Sequence, residues 1–208
     1  LPISTLNAYS PDPTNDNTPT YTGRSTTTTT YPNNNPWSSR NDITINKITS
    51  VQYRVDSGAW TSATAADGLF NSSEEDFLFT TSTLSDGTRT IEVRALNTGG
   101  NWETAFASDT ITIDATAPTI SFVSPTISNG SILAQNWVNV SVISNENLIS
   151  PKLEWNGINE SISGSGQSWY KNKTGLSDGN YNYRVWGNDI ANNWNVTELR
   201  VVTVDTIP

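Results

Sequence analysis

The 208-residue sequence predicts an all-β chain folded as two sandwiches in tandem, and three observations carry that expectation. One stretch occurs twice, as Leu84–Trp102 (LSDGTRTIEVRALNTGGNW) and Leu176–Trp194 (LSDGNYNYRVWGNDIANNW). The copies align without a gap: Leu-Ser-Asp-Gly opens both, a Val follows nine residues after the Leu, and Asn-Trp closes both. They begin 92 residues apart (84 to 176), the length of one small β-sandwich that buries most of its chain surface. Finally, apolar residues alternate with period two along short runs, and nowhere does a period of 3.6 persist.

Taken in order, Leu1–Ser10 offers a first strand through Ile3 and Leu6, closed by the Pro-rich turn at Pro11–Pro13. Thr18–Thr22 begins a second, because Thr and Tyr suit a pleated, half-buried surface. The five threonines Thr26–Thr30 can extend this second strand, while the Asn/Pro tract after Tyr31 must be a loop; with Trp37 the stretch over about 25–46 reads as an insertion, and a loop of that length is functional or mobile. In Ile48–Val55, Val51, Tyr53 and Val55 share one face and Gln52 and Arg54 the other. Asp56-Ser57-Gly58 then turns the chain tightly before Trp60. Glu74-Glu75-Asp76 reads as a solvated loop ahead of the strand Phe77-Leu78-Phe79. In the repeated stretch Ile91 and Val93 face in, while Thr90, Glu92 and Arg94 face out. Ile111 and Ile113 alternate on a last strand that ends in the linker Asp114–Pro118.

The second half repeats the plan with strands at Thr119–Val123, at Trp137–Ile143 and around Leu153 and Trp155. Asn156-Gly157 is a strong two-residue hairpin signal. Trp169-Tyr170 opens the next strand, the repeated stretch follows, and Val202 and Val204 face in on the last. About seven short strands per unit, separated by turn residues, describe an immunoglobulin-like β-sandwich. The expected domains are residues 1–117, with the insertion, and 118–208. The chain begins beside Pro2, stops at Pro208 and has no initiator Met, so it reads as whole repeats from a longer string or a processed chain.

Composition narrows the chemistry. Eight Trp, seven Tyr and five Phe must fill much of the core, since each ring buries more area than an aliphatic side chain. Cys, His and Met are absent, which removes disulfides, thiolate nucleophiles, zinc–thiolate sites and the commonest general base. A net charge of −9 without a basic cluster argues against nucleic acid and anionic membranes. No apolar run is long enough to cross a bilayer. Abundant Asn, Ser, Thr and Gly with few Lys suits an extracellular protein, and an enzyme is not expected.

Thr14–Thr20 (TNDNTPT), Val51–Trp60 (VQYRVDSGAW), the two Leu-Ser-Asp-Gly strands and the linkers after Asp114 and Asp205 resemble bacterial and archaeal immunoglobulin-like repeats of large cell-surface proteins. GLSDGNYNYRVWGNDIANNWN and RVVTVDT are similar to repeats of archaeal surface proteins. The resemblance covers nearly all of the chain outside the insertion. It implies stalks, adhesins, surface-layer components or spacers beside catalytic domains. Unlike antibody domains, the chain lacks both core cysteines.

Few residues are candidates for a site. Glu74-Glu75-Asp76 is an acidic cluster, but neighbours on a strand point to opposite faces, so it reads as protection of a strand edge rather than a catalytic pair. Asp12–Asn17 has the oxygen-rich look of a calcium loop; turn chemistry, Asn and Asp capping their own backbone, is the preferred reading, and no carboxylate cluster is expected in the second unit. No cofactor is expected. Sequons stand at Asn71, Asn129, Asn139, Asn159, Asn172 and Asn195, about as many as composition alone produces, and the Thr run can carry O-linked sugar. Trp186, with Leu199 and Val201 beside it, forms an expected apolar outer patch, and Trp37 is a further exposed aromatic. Arg54–Glu92 and Glu154–Arg184 are expected charge pairs across strands.

These readings give an extracellular structural or adhesive module of a surface stalk, surface-layer protein or self-assembling filament. In the filament version the insertion or the N-terminal segment donates a strand to a neighbour. The alternative is a carbohydrate-binding or spacer module of a secreted polysaccharide-degrading enzyme. Expected partners are neighbouring copies or repeats of the same protein, and glycans, with no nucleic acid and no membrane insertion.

Overall fold

The computed structural model describes residues 1–27, 30–31, 43–44 and 46–207. All of its regular structure is β, in two compact units, Leu1–Asp114 and Ala115–Pro208.

Unit 1 contains β1 (Pro2–Leu6), β2 (Thr20–Thr27), β3 (Thr30–Tyr31), β4 (Ile43–Thr44), β5 (Ile48–Val55), β6 (Thr61–Ser62), β7 (Thr64–Ala65), β8 (Glu74–Thr80), β9 (Gly87–Asn97) and β10 (Ala107–Ile113). One sheet runs β1-β2-β8-β7 and the other β10-β9-β5-β6, while β3 and β4 pair with each other. The alternation read in the sequence places Val51, Tyr53, Ile91, Val93, Ile111 and Ile113 in the core. Across from them Tyr53 stacks on Phe79 with ring centroids 4.0 Å apart, and Tyr21 on Phe79 at 5.5 Å. Gly23 is required here: a Cβ would collide with the Thr5 carbonyl oxygen and the Phe77 ring. The β5–β6 turn has positive φ at Asp56 (49°) and Ser57 (60°), the left-handed pair that matches strand twist. Asp56 Oδ1 accepts the Thr90 N–H (2.9 Å), which ties the turn to β9.

The expected first strand forms as β1, with Ile3 62% exposed and Pro2 and Ser4 pointing inward. Glu103 decides this register: its carboxylate is buried and accepts Ser4 N–H (2.7 Å), Ser4 Oγ–H (2.6 Å) and Ala95 N–H (3.2 Å), and slipping β1 by one residue would lose those bonds. Glu74-Glu75-Asp76 is not a solvated loop but part of β8. There Glu75 is buried and accepts the Asn71 and Ser72 N–H groups, at 2.6 and 2.5 Å. The start of the Thr run does extend the second strand, since Ser25, Thr26 and Thr27 complete β2, so the insertion begins after residue 27 rather than at about 25. Ser4, Ser25, Thr27, Glu75, Asn97 and Glu103 are the buried polar residues beside these strands, all without a Lys or Arg partner among the described ion pairs.

Unit 2 contains β11 (Ile120–Phe122), β12 (Ile132–Leu133), β13 (Trp137–Ser144), β14 (Lys152–Trp155), β15 (Ile158–Ser161), β16 (Ser163–Ser165), β17 (Ser168–Thr174), β18 (Gly179–Asn188), β19 (Trp194–Val196) and β20 (Arg200–Val204). Its sheets run β11-β13-β17-β16 and β12-β20-β18-β14-β15, with β19 also on β18. Asn156 (φ 49°) and Gly157 (φ 80°) form the expected hairpin between β14 and β15. Val138, Val140, Leu153, Tyr183, Val185 and Val202 form the centre of the core, where Trp155 stacks on Tyr183 at 5.4 Å. Lys173 reaches from β17 to Glu160 on β15 (2.7 Å), an ion pair joining the two sheets.

The two copies of the repeated stretch become β9 and β18, each an interior strand of its sheet. Their inward residues correspond: Ile91 with Tyr183, Val93 with Val185, Ala95 with Gly187, all buried. The closing tryptophans do not. Trp102 packs on Arg94, whereas Trp194 is 52% exposed and donates Nε1–H to Asn192 Oδ1 (3.0 Å).

Candidate interaction surfaces

Outward positions of the two units carry different chemistry. On unit 1 the outer face of β5 and β9 bears a ladder of arginines and aromatic rings. Arg94 lies 4.1 Å from the Trp60 centroid and 4.1 Å from Trp102. Arg54 lies 4.5 Å from Trp60 and 5.1 Å from Phe106. Cations over ring faces attract the π quadrupole, more strongly as water is excluded. Burial, then the nearby Arg54 charge, lowers the Arg94 guanidinium from its ordinary value. Its Nε–H and Nη2–H both donate to Gln52 Oε1, at 3.1 and 2.7 Å. Sequence reasoning missed this ladder. Outward Arg54 and Arg94 were legible from alternation, but only tertiary structure brings Trp60 and Trp102 over them.

Both expected charge pairs form. Arg54 Nε is 2.7 Å from Glu92 Oε2, and Arg184 Nε is 2.9 Å from Glu154 Oε2. Trp186 Nε1–H donates to that same Glu154 oxygen (2.7 Å), and the Arg184 guanidinium lies 4.6 Å from the Trp186 ring. The Arg184 hydrogen bond first, then the Trp186 indole, holds the Glu154 carboxyl below the usual range.

The apolar patch expected from Trp186, Leu199 and Val201 is not continuous. Val201 pairs with Asn182, and β18 changes partner beyond Tyr183, so that Trp186 stands between Lys152 and Val196. Four residues separate Asn182 from Trp186, about 13 Å along a strand. Leu199 and Val201 are exposed, but Leu199 precedes β20 and neither is paired with Trp186. Trp37 lies outside the described residues.

Asp12–Asn17 adopts turn geometry. Asp16 Oδ1 accepts the Thr18 N–H (2.9 Å), Asp16 Oδ2 accepts the Tyr9 hydroxyl (2.6 Å), and Asp12 Oδ1 accepts the Thr112 N–H (2.9 Å). The Tyr9 hydrogen bond, then that of Thr18, lowers the Asp16 carboxyl. Nearby, Asp109 Oδ2 accepts the Tyr21 hydroxyl (3.1 Å), and burial together with the Asp109 charge pushes the Tyr21 phenol up. Unit 2 departs from expectation, since Glu146 and Asp189 do bring carboxylate oxygens within 4.8 Å of each other. Asp189 is buried and its two oxygens accept the Asn193 N–H (2.9 Å) and Nδ2–H (2.8 Å).

The six sequons occupy unlike settings. Asn71 and Asn159 are exposed. Asn129 Oδ1 accepts the Val201 N–H (2.8 Å), and Asn195 Nδ2–H donates to the Pro118 carbonyl (2.7 Å). Asn139 and Asn172 face each other across β13 and β17. The whole outward face of that strand pair is uncharged: the rungs are Trp137–Thr174, Asn139–Asn172, Ser141–Tyr170 and Ile143–Ser168. A groove of about 390 Å³ runs beside Tyr170, with Ile143 and Val123 on its far side.

No family model matches the chain, and no curated protein matches it. Solved structures similar to it include the fibronectin(III)-like modules of CbhA from Clostridium thermocellum, at 10% identity over 97% of this chain and 93% of that one, with a TM-score of 0.38. A tetra-tandem repeat from the extending region of a large adhesion protein is 21% identical over 98% of this chain, TM-score 0.33. The Yersinia pseudotuberculosis adhesin InvE is 16% identical over 97%, TM-score 0.30. The chain spans 49% of the adhesion-protein structure and 58% of the InvE structure. Among the described residues no helix is long and apolar enough to cross a membrane.

Proposed function

We propose that the chain is a non-enzymatic, extracellular structural module: tandem β-sandwiches of a surface stalk, adhesin, surface-layer protein or filament. One observation carries this reading. On β9 and β18 the recurring Val93 and Val185 are core residues and the inward positions beside them stay buried (Ile91 and Tyr183, Ala95 and Gly187), while outward Glu92 and Arg94 become Arg184 and Trp186. A chain whose repetition maintains the sandwich and leaves its surface free to vary suits a spacer that holds something at a distance. In the filament version the N-terminal segment is not free to leave, since β1 is already paired with β2 and clamped by Glu103. The carbohydrate-module alternative through Trp186 has less support, because the indole is engaged by Glu154 and Arg184.

Pulling single molecules of the chain from its two ends tests the structural role. Two separate unfolding events are expected, lengthening the tether by up to about 380 Å for unit 1 and about 310 Å for unit 2, the extended reach of residues 1–114 and 115–208. A single event, or extension without resisting force, overturns the reading.

A further inference from the structure

We propose that Asn172 bears an N-linked glycan whose first sugar lies on the ring of Tyr170. Of the six sequons, only two have an aromatic residue two positions before the Asn: Trp137-Val-Asn139-Val-Ser141 and Tyr170-Lys-Asn172-Lys-Thr174. Both lie on strands, where residues i, i+2 and i+4 share one face about 7 Å apart. In each, ring, amide and hydroxyl therefore stand in one line on the outward side. Strand pairing sets the two lines antiparallel, with Trp137 opposite Thr174, Asn139 opposite Asn172 and Ser141 opposite Tyr170.

Directly opposed residues have Cβ atoms only about 4.5–5.5 Å apart, so the pair has room for one saccharide. Burial chooses between them. Asn172 is exposed, whereas Asn139 is half-buried and its Oδ1 is buried without a hydrogen-bond partner. Tyr170 is 56% exposed. A pyranose has an apolar C–H face and a rim of hydroxyls; the Tyr170 ring suits the first, and the groove hydroxyls of Ser141 and Ser168 suit the second. No charged side chain stands on this face to demand a counter-ion.

The attachment balances simply. Asn172 Nδ2 displaces the phosphate-linked oxygen at the anomeric carbon of a lipid-phosphate-linked saccharide. One C–N bond forms, one C–O bond breaks, the amide gives up a proton to the transferase, and the lipid phosphate leaves. The inference rests on the extracellular reading, because that donor is met only on a secretory route.

Secreting the full chain from an N-glycosylating eukaryotic host supplies the transferase, and glycopeptide mass mapping reads each sequon. Asn172 is expected to be occupied and Asn139 bare. Melting of unit 2 is then compared with and without the glycan (N172Q), in the native and Y170A backgrounds. The glycan should raise the melting temperature by about 4 °C beside Tyr170, and by less than half as much in Y170A. A bare Asn172, whether the other sequons are filled or not, or an occupied Asn139, overturns the site. An equal shift in both backgrounds overturns the stacking. Either failure leaves the extracellular reading standing, since the host dictates secretion and the pulling measurement is separate.

Discussion

The β1-β2-β8-β7 sheet of unit 1 and the β11-β13-β17-β16 sheet of unit 2 occupy the same place in the two sandwiches, yet their outward faces have little in common. Unit 1 presents Arg24 between Glu74 (3.5 Å) and Asp76 (2.7 Å). Unit 2 presents Trp137, Asn139, Ser141 and Ile143 opposite Thr174, Asn172, Tyr170 and Ser168, with no charge. Of the sixteen large apolar side chains exposed among the described residues, twelve lie in unit 2, so the surface asymmetry extends beyond one sheet. Inside, the same alternation recurs, and each core holds stacked aromatic rings, though at different positions. Packing constrains an inward residue through its many neighbours, whereas an outward one on a sheet answers only to its cross-strand partner. The difference teaches that the fold was duplicated and the surfaces were not.

The two polar anchors sharpen the comparison. In unit 1 Glu103 accepts the Ala95 N–H and holds β1; in unit 2 Thr197 Oγ1 accepts the Val185 N–H (2.9 Å). One anchor is a buried carboxylate reaching a second strand, the other a local hydroxyl.

The largest effects should come from where the units agree. Ile91→Ala in unit 1 and Leu153→Ala in unit 2 each remove a fully buried side chain and should cost about 2–5 kcal/mol. Calorimetry should show each lowering the transition of its own unit; a common loss would break the two-unit picture.

Next comes Glu103→Ala, which orphans the Ser4 and Ala95 donors. A loss of about 1–3 kcal/mol is expected, confined to unit 1, with faster amide exchange along β1. Thr197→Ala should cost unit 2 less, because only one donor is left unpaired.

Acid should also weaken the fold. In unit 1 Asp16, Asp56 and Asp76 are held below the usual carboxylate range by, respectively, the Tyr9 hydroxyl, the Thr90 N–H and the Arg24 guanidinium; in unit 2 the Arg184 guanidinium does the same for Glu154. A folded pKa below the unfolded value gives stability that is complete above the unfolded carboxylate value of about 4 and is lost as pH falls through the folded value. Unit 1 should therefore lose melting temperature between about pH 5 and pH 2, and D16N should reduce that loss while leaving the acid response of unit 2 unchanged.

The smallest effect belongs to the matched ion pairs. A double-mutant cycle on Arg54–Glu92 should return less than about 1 kcal/mol, since the pair is partly solvated, and the cycle on Arg184–Glu154 should return a coupling no larger than that. A larger value for Arg54 alone would show that its place against the Trp60 and Phe106 rings strengthens the pair.

By itself the sequence determined the fold class, the repeated central strands, the Asp56 and Asn156 turns and both charge pairs, because each of these depends on residues near in the chain or on strict alternation. Register and partner choice belonged to the tertiary structure. Ile3 faces out because Glu103, ninety-nine residues away, binds Ser4. Trp186 lacks Val201 as a neighbour because β18 exchanges β20 for β19. Asn139 and Asn172 form one rung only because β13 and β17 pair in that register. Alternation says which side of a strand a residue takes; which residue it meets there is set by hydrogen bonds to distant strands, and sequence spacing holds no record of them.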